Sequence, residues 1–538
     1  MDHLEETSSS SSWISTLSFL LALVCLTWYT TIWSICLLGR RIAKTHYSSS
    51  PPPTSPLRNL GEESDLPGVS ILRPLSGLDS NLFENLCSSF EQDYPKERFE
   101  ILLSIRERRK GGESEKVFQL AQSVKERYPD VRCEIVVGDE KAGVNPKINN
   151  LVRTYSLAKF DILWVIDSQV WSPPGTLSRS VEELIGPPRK PFPELLNRRP
   201  HGTRVGLVHH VPLAVSPSNS WGSQVERVFL STTHAKMYLA INGLSIDSCV
   251  MGKSNMYRKS DLEKVPDDFF HVGLNGSKGE AGAIGSRAFA SLPSHPSSRR
   301  DPSGLEEDDD DDERRDEGGE QPLLEDGFGT SRSGSGSFPP NTTTTTIQTS
   351  SRALARFGIY LAEDNMLALS LWRPPLNLCH SLARFDVAHT SVGDIKTLWD
   401  YSKRRMRWIR VRKHMVPLAT YLEPLTESIP SALVGLFALR KLFLQPLLPS
   451  SFHLPMSLIA LTIHWTCWYR TDVSVLESLS GGQALPDRER SNLLLAWCLR
   501  EILALPIWIW AVSGSTVDWR EKRYRILQDG RAASASAL

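Results

Sequence analysis

Asp167 is the residue of this 538-residue chain whose type and position point most directly to chemistry. It closes the apolar run of residues 161–167 (DILWVID), a pattern typical of a parallel strand that is buried on both faces. Ligands of an open α/β sheet bind at the carboxyl ends of its strands, so we expect Asp167 to face a ligand crevice. A helix N-cap or a turn residue is the alternative for an aspartate after a strand.

The segment of residues 145–150 (NPKINN) favours the crevice. It places Lys147 and several amides at the start of a helix that leads into the strand. Helix N-termini and lysine side chains both bind phosphate groups. We therefore predict a diphosphate site that includes Lys147 and Asp167.

A second acidic group, Glu363 and Asp364, follows another apolar segment. A carboxylate at a crevice acts as a general base when it reaches the proton that must be removed. The alternative is an exposed helix N-terminus, where the macrodipole favours acidic residues. The pair alone does not decide between the two.

Arg404, Arg407 and Trp408 fall at i, i+3 and i+4 of a predicted helix, which Ser391 and Asp394 would begin as a capping box. Arginines beside an indole suit a phosphate leaving group and a ring-stacked ligand. A basic helix lying on anionic lipid is the competing interpretation. Both can hold, because further cations of the helix remain to face lipid headgroups. These are Lys403, Arg405, Arg410, Arg412 and Lys413.

Strands that alternate with helices must position these groups. The predicted strands span residues 68–74, 99–105, 133–138, 161–167 and 204–210, and the predicted helices span 79–92, 115–128 and 176–185. This alternation predicts βαβ units and an α/β domain with a parallel-rich sheet and flanking helices. Two interpretations of the apolar stretch 238–256 are open: it lines the floor of an acceptor pocket, or it is an ordinary segment of the hydrophobic core.

Composition excludes some partners. The chain carries 61 basic and 61 acidic residues, and this balance gives no indication of a nucleic-acid partner. Its eight cysteines are scattered without metal-ligand spacing. They indicate reduced thiols on a cytosolic or membrane protein.

The N-terminal part predicts a membrane anchor over residues 1–45. Residues 13–38 contain no charge and are long enough to span a bilayer, and the acidic residues before them argue against a signal peptide. Arg40, Arg41 and Lys44 follow directly, so the positive-inside rule places the rest of the domain in the cytosol. A Ser/Pro-rich linker is expected over residues 46–67.

The rest of the chain divides into a cytosolic domain at 68–414, membrane segments at 415–513 and a basic cytosolic tail at 514–538. Within the domain, residues 262–352 are polar and low in complexity and are expected to be a disordered insertion. Apolar segments span 415–439, 452–469 and 493–512, and the first and third contain charged residues, which are costly in a membrane unless paired. We expect two full spans and one partial span.

The motif order resembles the D, D, D, (Q/R)-x-x-R-W series of inverting, membrane-bound family-2-type glycosyltransferases. Among them the chain is most similar to the ceramide glucosyltransferases, through NPKINNL at 145–151, Asp167, Glu363-Asp364 and the R-x-x-R-W motif. Further short matches extend over most of the folded chain. They are DYP at 93–95, VH at 208–209, His234, AW at 496–497, RE at 500–501 and the tail at 519–525.

This resemblance implies a GT-A-like domain that transfers glucose from UDP-glucose to the primary hydroxyl of ceramide with inversion. It implies an integral, multi-pass protein whose catalytic domain contacts membrane lipid on the cytosolic face of the Golgi or endoplasmic reticulum. Asp364 would be the catalytic base, and Asp167 would bind a divalent cation, Mg²⁺ or Mn²⁺. Asp167, Lys147 and Glu107 would bind the nucleotide sugar, and Arg404, Arg407, Trp408 and His234 the acceptor or the diphosphate. Glu107 stands where the series has its first aspartate.

Two other functions are compatible with these motifs. A processive polysaccharide synthase of the same superfamily is disfavoured by the arginine that begins R-x-x-R-W and by the small number of apolar segments. A catalytically inactive membrane scaffold is suggested by the missing first aspartate and by the acidic insertion.

Overall fold

The computed structural model describes residues 2–51, 66–188, 202–215, 217–245, 247–271, 352–519, 522–527 and 529–534. Residues 52–65 of the predicted linker and 272–351 of the predicted insertion lie outside the described residues.

Sixteen α-helices have both ends within the described part of the chain. They are α1 (Asp2–Tyr47), α2 (Leu82–Phe90), α3 (Glu113–Arg127), α4 (Pro146–Leu157), α5 (Thr176–Ile185), α6 (Trp221–Val228), α7 (Ala235–Leu244), α8 (Lys259–Glu263), α9 (Asp268–His271), α10 (Glu363–Trp372), α11 (Leu398–Met415), α12 (Pro417–Leu422), α13 (Ser428–Leu439), α14 (Gln445–Leu447), α15 (His453–Leu479) and α16 (Asp487–Ser513). Two π-helical turns, Phe229–His234 and Arg440–Leu444, continue α6 and α13.

The strands form one large sheet and one small one. They are β1 (Val69–Leu75), β2 (Phe99–Ile105), β3 (Cys133–Val137), β4 (Ile162–Ile166), β5 (Val170–Trp171), β6 (Val205–Val215), β7 (Ser254–Arg258), β8 (Cys379–Ser391), β9 (Thr516–Trp519), β10 (Lys522–Ile526) and β11 (Ala532–Ser534). The large sheet has the order β3-β2-β1-β4-β7-β6-β8-β5. Its pairings β3-β2, β2-β1, β1-β4 and β6-β8 are parallel, whereas β7 is antiparallel to both neighbours and β5 to β8. The predicted α/β class with a parallel-rich sheet is confirmed.

Strand β4 shows why an unbroken apolar run precedes Asp167. All five of its residues are buried. Ile162, Trp164 and Ile166 belong to the core on one face of the sheet, while Leu163 and Val165 belong to the core on the other. Side chains alternate between the two faces of a strand, so a strand covered on both sides needs apolar residues at every position. The polar residues of the run, Asp161 and Asp167, therefore lie just outside the two ends of the strand.

Helix α1 packs closely against the domain. A Cβ atom at Gly39 would lie 2.0 Å from the carbonyl oxygen of Lys236 in α7, so only glycine allows this approach. Cys36 and Ile42 join a core cluster that also includes residues of α7 and α15. Within the described residues, two stretches are long and apolar enough to cross a membrane, residues 15–47 in α1 and 487–513 in α16.

The ionisable residues of the C-terminal apolar segments are paired, as their cost in an apolar environment requires. Arg500 Nη2 lies 2.6 Å from Glu427 Oε2, and its Nη1 lies 2.6 Å from Glu501 Oε1. Lys236 Nζ lies 2.7 Å from Oδ1 of Asp472 in α15. The contact between Arg500 and Glu427 fastens α16 to the start of α13, and that between Lys236 and Asp472 fastens α15 to α7.

The segment predicted at 415–439 is not one continuous helix. It consists of α12, a 3-10 turn at Glu423–Thr426 and α13, and Pro417 and Pro424 stand at the starts of the first two. Proline favours the first turn of a helix, whereas in a helix interior it removes a hydrogen bond and favours a kink or a break. The partial span and the number of full spans both stay predictions.

The expectation about the start of α11 is wrong. The capping box that begins α11 is formed by Thr397 and Asp400. Ser391 instead ends β8, where its N–H donates to the carbonyl of Gln169 at 2.8 Å. The predicted tail contains β9, β10 and β11, which form an antiparallel sheet. Val517 and Tyr524 of this small sheet belong to the core of the domain.

The cations of α11 that were expected to face lipid headgroups bind protein groups. Arg410 donates to the carbonyls of Ala511 and Thr516 at 3.3 and 2.7 Å, and Lys413 donates to that of Gly514 at 2.6 Å. These contacts satisfy carbonyl groups at and just after the C-terminus of α16, where a positive charge also suits the helix dipole. Arg405 and Arg412 pair with Glu423, at 3.4 and 2.6 Å.

The folded domain extends further than residue 262, where the insertion was predicted to begin. Helices α8 and α9 reach His271. Leu262, Val265 and Phe270 lie in the core, and the Phe270 ring packs edge-on against Phe357 with 5.0 Å between centroids. The apolar residues of this stretch are therefore packed on the domain.

Candidate active site

The sheet places Asp167 directly after β4. Its backbone N–H donates to the carbonyl of Lys253 at 3.0 Å. Arg73, which is fully buried in β1, fixes the turn that follows, because its Nη2 donates to the carbonyls of Ser168 and Val170 at 3.2 and 3.0 Å. The carboxylate is thus held at the carboxyl edge of the parallel strands, as expected for a ligand-binding position.

Two lysines hold the Asp167 carboxylate. Lys147 Nζ lies 2.9 Å from Oδ1, and Lys253 Nζ lies 3.0 Å from Oδ2. Burial by itself would raise the pKa of Asp167, but the two ammonium groups outweigh burial and hold that pKa below its usual value. Asp167 is therefore ionised at neutral pH.

The NPKINN segment orients Lys147. Asn145 caps α4, since its Oδ1 accepts from the N–H groups of Lys147 and Ile148 at 2.8 and 3.2 Å. Its Nδ2 donates to Glu363 Oε2 and to the carbonyl of Tyr360, both at 2.8 Å. One amide thus satisfies the helix start and ties it to the acidic pair.

Lys147 joins the two acidic groups that the sequence analysis considered separately. Its Nζ contacts Glu363 Oε1 at 3.2 Å as well as Asp167, and it donates to the carbonyl of Gly252 at 2.9 Å. The N–H of Gly252 in turn donates to Asp364 Oδ2 at 2.6 Å. Asp167, Lys147 and Asp364 therefore belong to one connected cluster.

Asp364 has the environment of a base. Burial raises its pKa to about 6, and the negative charge of Glu363 adds to this rise. The positive charge of Lys147 and the N–H groups of Asn365 and Gly252 act in the opposite direction. A carboxylate tuned in this way is ionised at pH 7 yet accepts a proton more readily than an ordinary aspartate.

Gly252 allows the backbone to approach Asp364. A Cβ atom at this position would lie 2.8 Å from Oδ2 and 2.9 Å from Cβ of Asp364. We expect Gly252→Ala to reduce kcat/KM by about tenfold to a hundredfold with little change in melting temperature, because it displaces the carboxylate. Initial rates and thermal melting of the purified protein check this. Gly112→Ala, whose Cβ would lie 3.2 Å from the Arg109 carbonyl on the surface, is the control. Unchanged kcat/KM in Gly252→Ala would contradict the geometry.

Helix α11 brings Arg404 and Trp408 to the site. Arg404 Nε lies 2.7 Å from Oε1 of the buried Glu226, and its guanidinium lies 5.0 Å from the centre of the Trp408 ring. Burial lowers the pKa of Lys253, Asp167 opposes this, and the positive charge of Arg404 lowers the pKa further. Arg404 is therefore within electrostatic reach of the lysine that holds Asp167.

Arg407 contacts the small C-terminal sheet. Its guanidinium stands 5.5 Å from the centre of the Trp519 ring in β9. For Arg407, a role in binding acceptor or diphosphate stays a prediction.

His234 lies between the R-x-x-R-W motif and the segment before β7. Its ring stacks on Tyr238 at 5.4 Å and lies 6.3 Å from the Trp408 ring. The Tyr238 hydroxyl accepts from the N–H of Met251 at 3.3 Å. Burial, together with the positive charges of nearby arginines, lowers the pKa of His234 to about 3, so the imidazole is neutral. Its buried Nδ1 has no hydrogen-bond partner among the described residues.

Glu107 follows β2 at the same edge of the sheet. Its side chain is 43% exposed, and Oε2 lies 3.0 Å from Nε of Arg109. The ion pair is thus formed within its own loop. A contact between Glu107 and the nucleotide stays a prediction.

Three residues of the site were missed by the sequence analysis. Gly252 and Lys253 lie in the stretch 238–256, which the apolar pattern indicated only as core or pocket floor. A lysine in such a stretch was the one available signal. Arg73 could have been found as a charged residue within an apolar strand, since an arginine buried there must bond to several groups.

The residues at Asp167 fit a divalent cation only in part. Among the residues that the structure describes, no group of three or more His, Cys, Asp or Glu side chains could hold a metal ion. Both oxygens of Asp167 are also paired with lysines. Cations such as Mg²⁺ are commonly bound by one or two carboxylates and substrate phosphates. The described residues alone therefore offer a cation one carboxylate, Asp167, which two lysines already hold.

The family model described as glycosyl transferase family 21 matches residues 26–266 and 353–532. The match covers more than half of the chain and includes every residue of the cluster. The chain belongs to glycosyl transferase family 21. The part between the two matched ranges, residues 267–352, contains most of the predicted insertion. As a member of this family the chain is a glycosyltransferase.

Curated relatives match along nearly the whole length of the chain. A ceramide glucosyltransferase from Komagataella phaffii is 32% identical over 95% of this chain and 91% of its own. One from Pyricularia oryzae is 29% identical over 93% of this chain and 92% of its own. Among solved structures, a mannosyltransferase from Pyrobaculum calidifontis in complex with GDP-Man and Mn²⁺ covers 86% of this chain and 97% of its own, at 13% identity and a TM-score of 0.37. The resemblance to ceramide glucosyltransferases found in the sequence is confirmed.

Proposed function

We propose that this glycosyltransferase transfers glucose from UDP-glucose to the primary hydroxyl of ceramide with inversion, giving glucosylceramide. One observation carries the proposal: Asp167, at the predicted donor site, and Glu363, beside the predicted base, share the ammonium of Lys147. The names of the curated relatives support the choice of acceptor and sugar.

The donor end has the groups that a nucleoside diphosphate needs. Lys147 and Lys253 supply positive charge, and the N-terminus of α4 adds its oriented N–H groups. A cation such as Mg²⁺ or Mn²⁺, held through Asp167 and the diphosphate, would neutralise the charge that UDP gains as it leaves. The lysines also favour this charge, because they are fixed before the reaction starts.

Asp364 supplies the proton acceptor. An alcohol such as the ceramide hydroxyl is too weak an acid to attack unaided, so a base must take its proton as the new bond forms. The raised pKa of Asp364 suits it to that role at neutral pH. Attack from the face opposite the leaving diphosphate inverts the configuration of the sugar carbon.

A lipid acceptor explains why the domain is joined to apolar helices. The donor is soluble in water and the acceptor is not, so the reaction centre must lie at the membrane surface. Helices α1 and α16 contain the candidate spans, and α11 connects α16 to the site. We place the catalytic domain on the cytosolic face of the Golgi or endoplasmic reticulum membrane, with His234, Arg404 and Trp408 on the acceptor side.

An assay with defined substrates tests this function. The purified chain in lipid nanodiscs is offered UDP-glucose, UDP-galactose or UDP-N-acetylglucosamine with short-chain ceramide or diacylglycerol, and mass spectrometry identifies the product. We expect a single hexose on ceramide from UDP-glucose, with a β-linkage by NMR, and no product from Asp167→Ala. A polymeric product would support the polysaccharide synthase, and no transfer to any acceptor would support the inactive scaffold.

A further inference from the structure

Lys253 lies where Asp167, Lys147 and Asp364 come together. It precedes β7, its side chain is 7% exposed, and its Nζ lies 3.0 Å from Asp167 Oδ2. Its backbone carbonyl also accepts from the Asp167 N–H. The neighbouring Gly252 bonds to Lys147 through its carbonyl and to Asp364 through its N–H. The Gly252–Lys253 dipeptide thus contacts the donor carboxylate, the donor lysine and the base.

The two lysines at Asp167 differ in their partners. Lys147 contacts two carboxylates, Asp167 and Glu363, and a backbone carbonyl. For Lys253, Asp167 is the one ion-pair partner within the described ranges. A buried ammonium group is costly unless it is paired, so Lys253 needs an anionic partner to stay charged. When a diphosphate enters, it offers such a partner.

Lys253 also covers the oxygen that a cation would need. With Oδ1 held by Lys147 and Oδ2 by Lys253, Asp167 presents both oxygens to ammonium groups. A metal ion that approaches this carboxylate in the absence of donor therefore competes with a fixed positive charge. Lys253 is the lysine that can leave more readily, because Lys147 would also give up Glu363.

We infer that Lys253 binds the diphosphate of the donor and exchanges between two anionic partners. Without donor it pairs with Asp167 Oδ2. With a nucleoside diphosphate bound, its ammonium turns to the phosphate oxygens and releases Asp167 Oδ2 to the cation that enters with the nucleotide. This inference rests on the proposed nucleotide donor and names a residue that binds it.

Binding measurements on the full chain in detergent test the exchange. Isothermal titration gives the Kd of UDP in EDTA and, separately, the Kd of Mn²⁺ without nucleotide, for wild type and Lys253→Met. We expect Lys253→Met to weaken UDP binding in EDTA by about tenfold, as the loss of one charge-assisted contact predicts. We expect the same variant to bind Mn²⁺ at least about threefold more tightly, because Asp167 Oδ2 is uncovered. A merely structural lysine would not move the two affinities in opposite directions.

Three further variants make the outcomes distinct. Lys253→Arg keeps the charge and should restore most of the UDP affinity. Lys264→Met, at an exposed lysine of the neighbouring segment, is the control and should change neither affinity. Should Lys253→Met fail to fold, Lys253→Gln removes the charge but keeps a hydrogen bond to Asp167.

The inference is overturned if UDP affinity in EDTA stays within twofold of wild type in the uncharged variant, or if its Mn²⁺ affinity is unchanged or weaker. The measurements involve no acceptor, so a wrong acceptor would leave them intact. Failure of wild type to bind UDP under any condition would overturn the donor assignment and this inference together.

Discussion

Asp364→Asn is expected to reduce kcat by about 100- to 10,000-fold while the affinity for UDP-glucose changes little, since general-base catalysis is worth that much. Asparagine keeps the size of the side chain and can still accept from the Gly252 N–H, whose bond to Asp364 Oδ2 is 2.6 Å long. What it loses is the ability to take a proton. Initial rates on short-chain ceramide and titration with UDP-glucose separate the two effects. Asp161→Asn, a carboxylate that accepts from the Ser260 N–H away from the site, is the matched control.

The pH dependence of the reaction identifies the base independently. Only the ionised form of Asp364 can accept a proton, and burial raises its pKa to about 6. In wild type, kcat/KM should therefore be constant above about pH 7. Below about pH 6 it should decrease, with a slope that approaches a tenfold loss per pH unit. Residual activity of Asp364→Asn should lack this acidic limb. Persistence of the limb, or substantial turnover of the variant at pH 7, would remove Asp364 from the role.

Lys147→Met is expected to impair both donor binding and stability. The substitution leaves Asp167 and Glu363 without the ammonium that they share. Removing one partner of a buried ion pair strongly destabilises the fold, because the other charge stays buried without compensation. We expect at least about a hundredfold loss of kcat/KM, carried by weaker UDP-glucose binding and by a displaced Asp364. The melting temperature should fall by roughly 5–10 °C.

Lys147→Arg and Lys159→Met separate charge from general damage. The arginine variant keeps a cation that can pair with both carboxylates, so its melting temperature should recover more than its activity, because the guanidinium places its donors differently. Lys159→Met changes a lysine that lies over the Phe160 ring and should leave activity unchanged. A Lys147→Met enzyme with normal donor affinity would contradict the diphosphate assignment.

The sequence predicted the parts of the site that depend on local pattern. The run before Asp167 is typical of a strand covered on both faces, and NPK could be interpreted as the phosphate-binding start of a helix. The proximity of Lys147 and Asp167 could be predicted, because both were expected at the carboxyl edge of the parallel strands. The contact between Lys147 and Glu363 could not be predicted, because the two residues are 216 positions apart and a long insertion lies between them.

Other contacts arise from topology that no local pattern contains. Lys253 reaches Asp167 because β7 inserts antiparallel between β4 and β6, and the residue before β7 then lies beside the residue after β4. Arg410 and Lys413 were expected to face lipid headgroups. Instead, the segment that follows α16 passes beside α11 and supplies backbone carbonyl groups that accept hydrogen bonds from them. In both cases the partner comes from a distant part of the chain.

The hydrogen bonds between α11 and the end of α16 have a consequence for the selection of lipid acceptors. One helix carries Arg404 and Trp408 beside the candidate site and also holds the last turn of a helix apolar enough to be embedded. The proposed base, Asp364, would thereby be kept at a constant height above the hydrocarbon. Lipids whose hydroxyl group stands at another depth would be rejected even when their headgroup fits the surrounding side chains. The choice of acceptor lipid would then depend partly on the distance of its hydroxyl group from the hydrocarbon core of the bilayer.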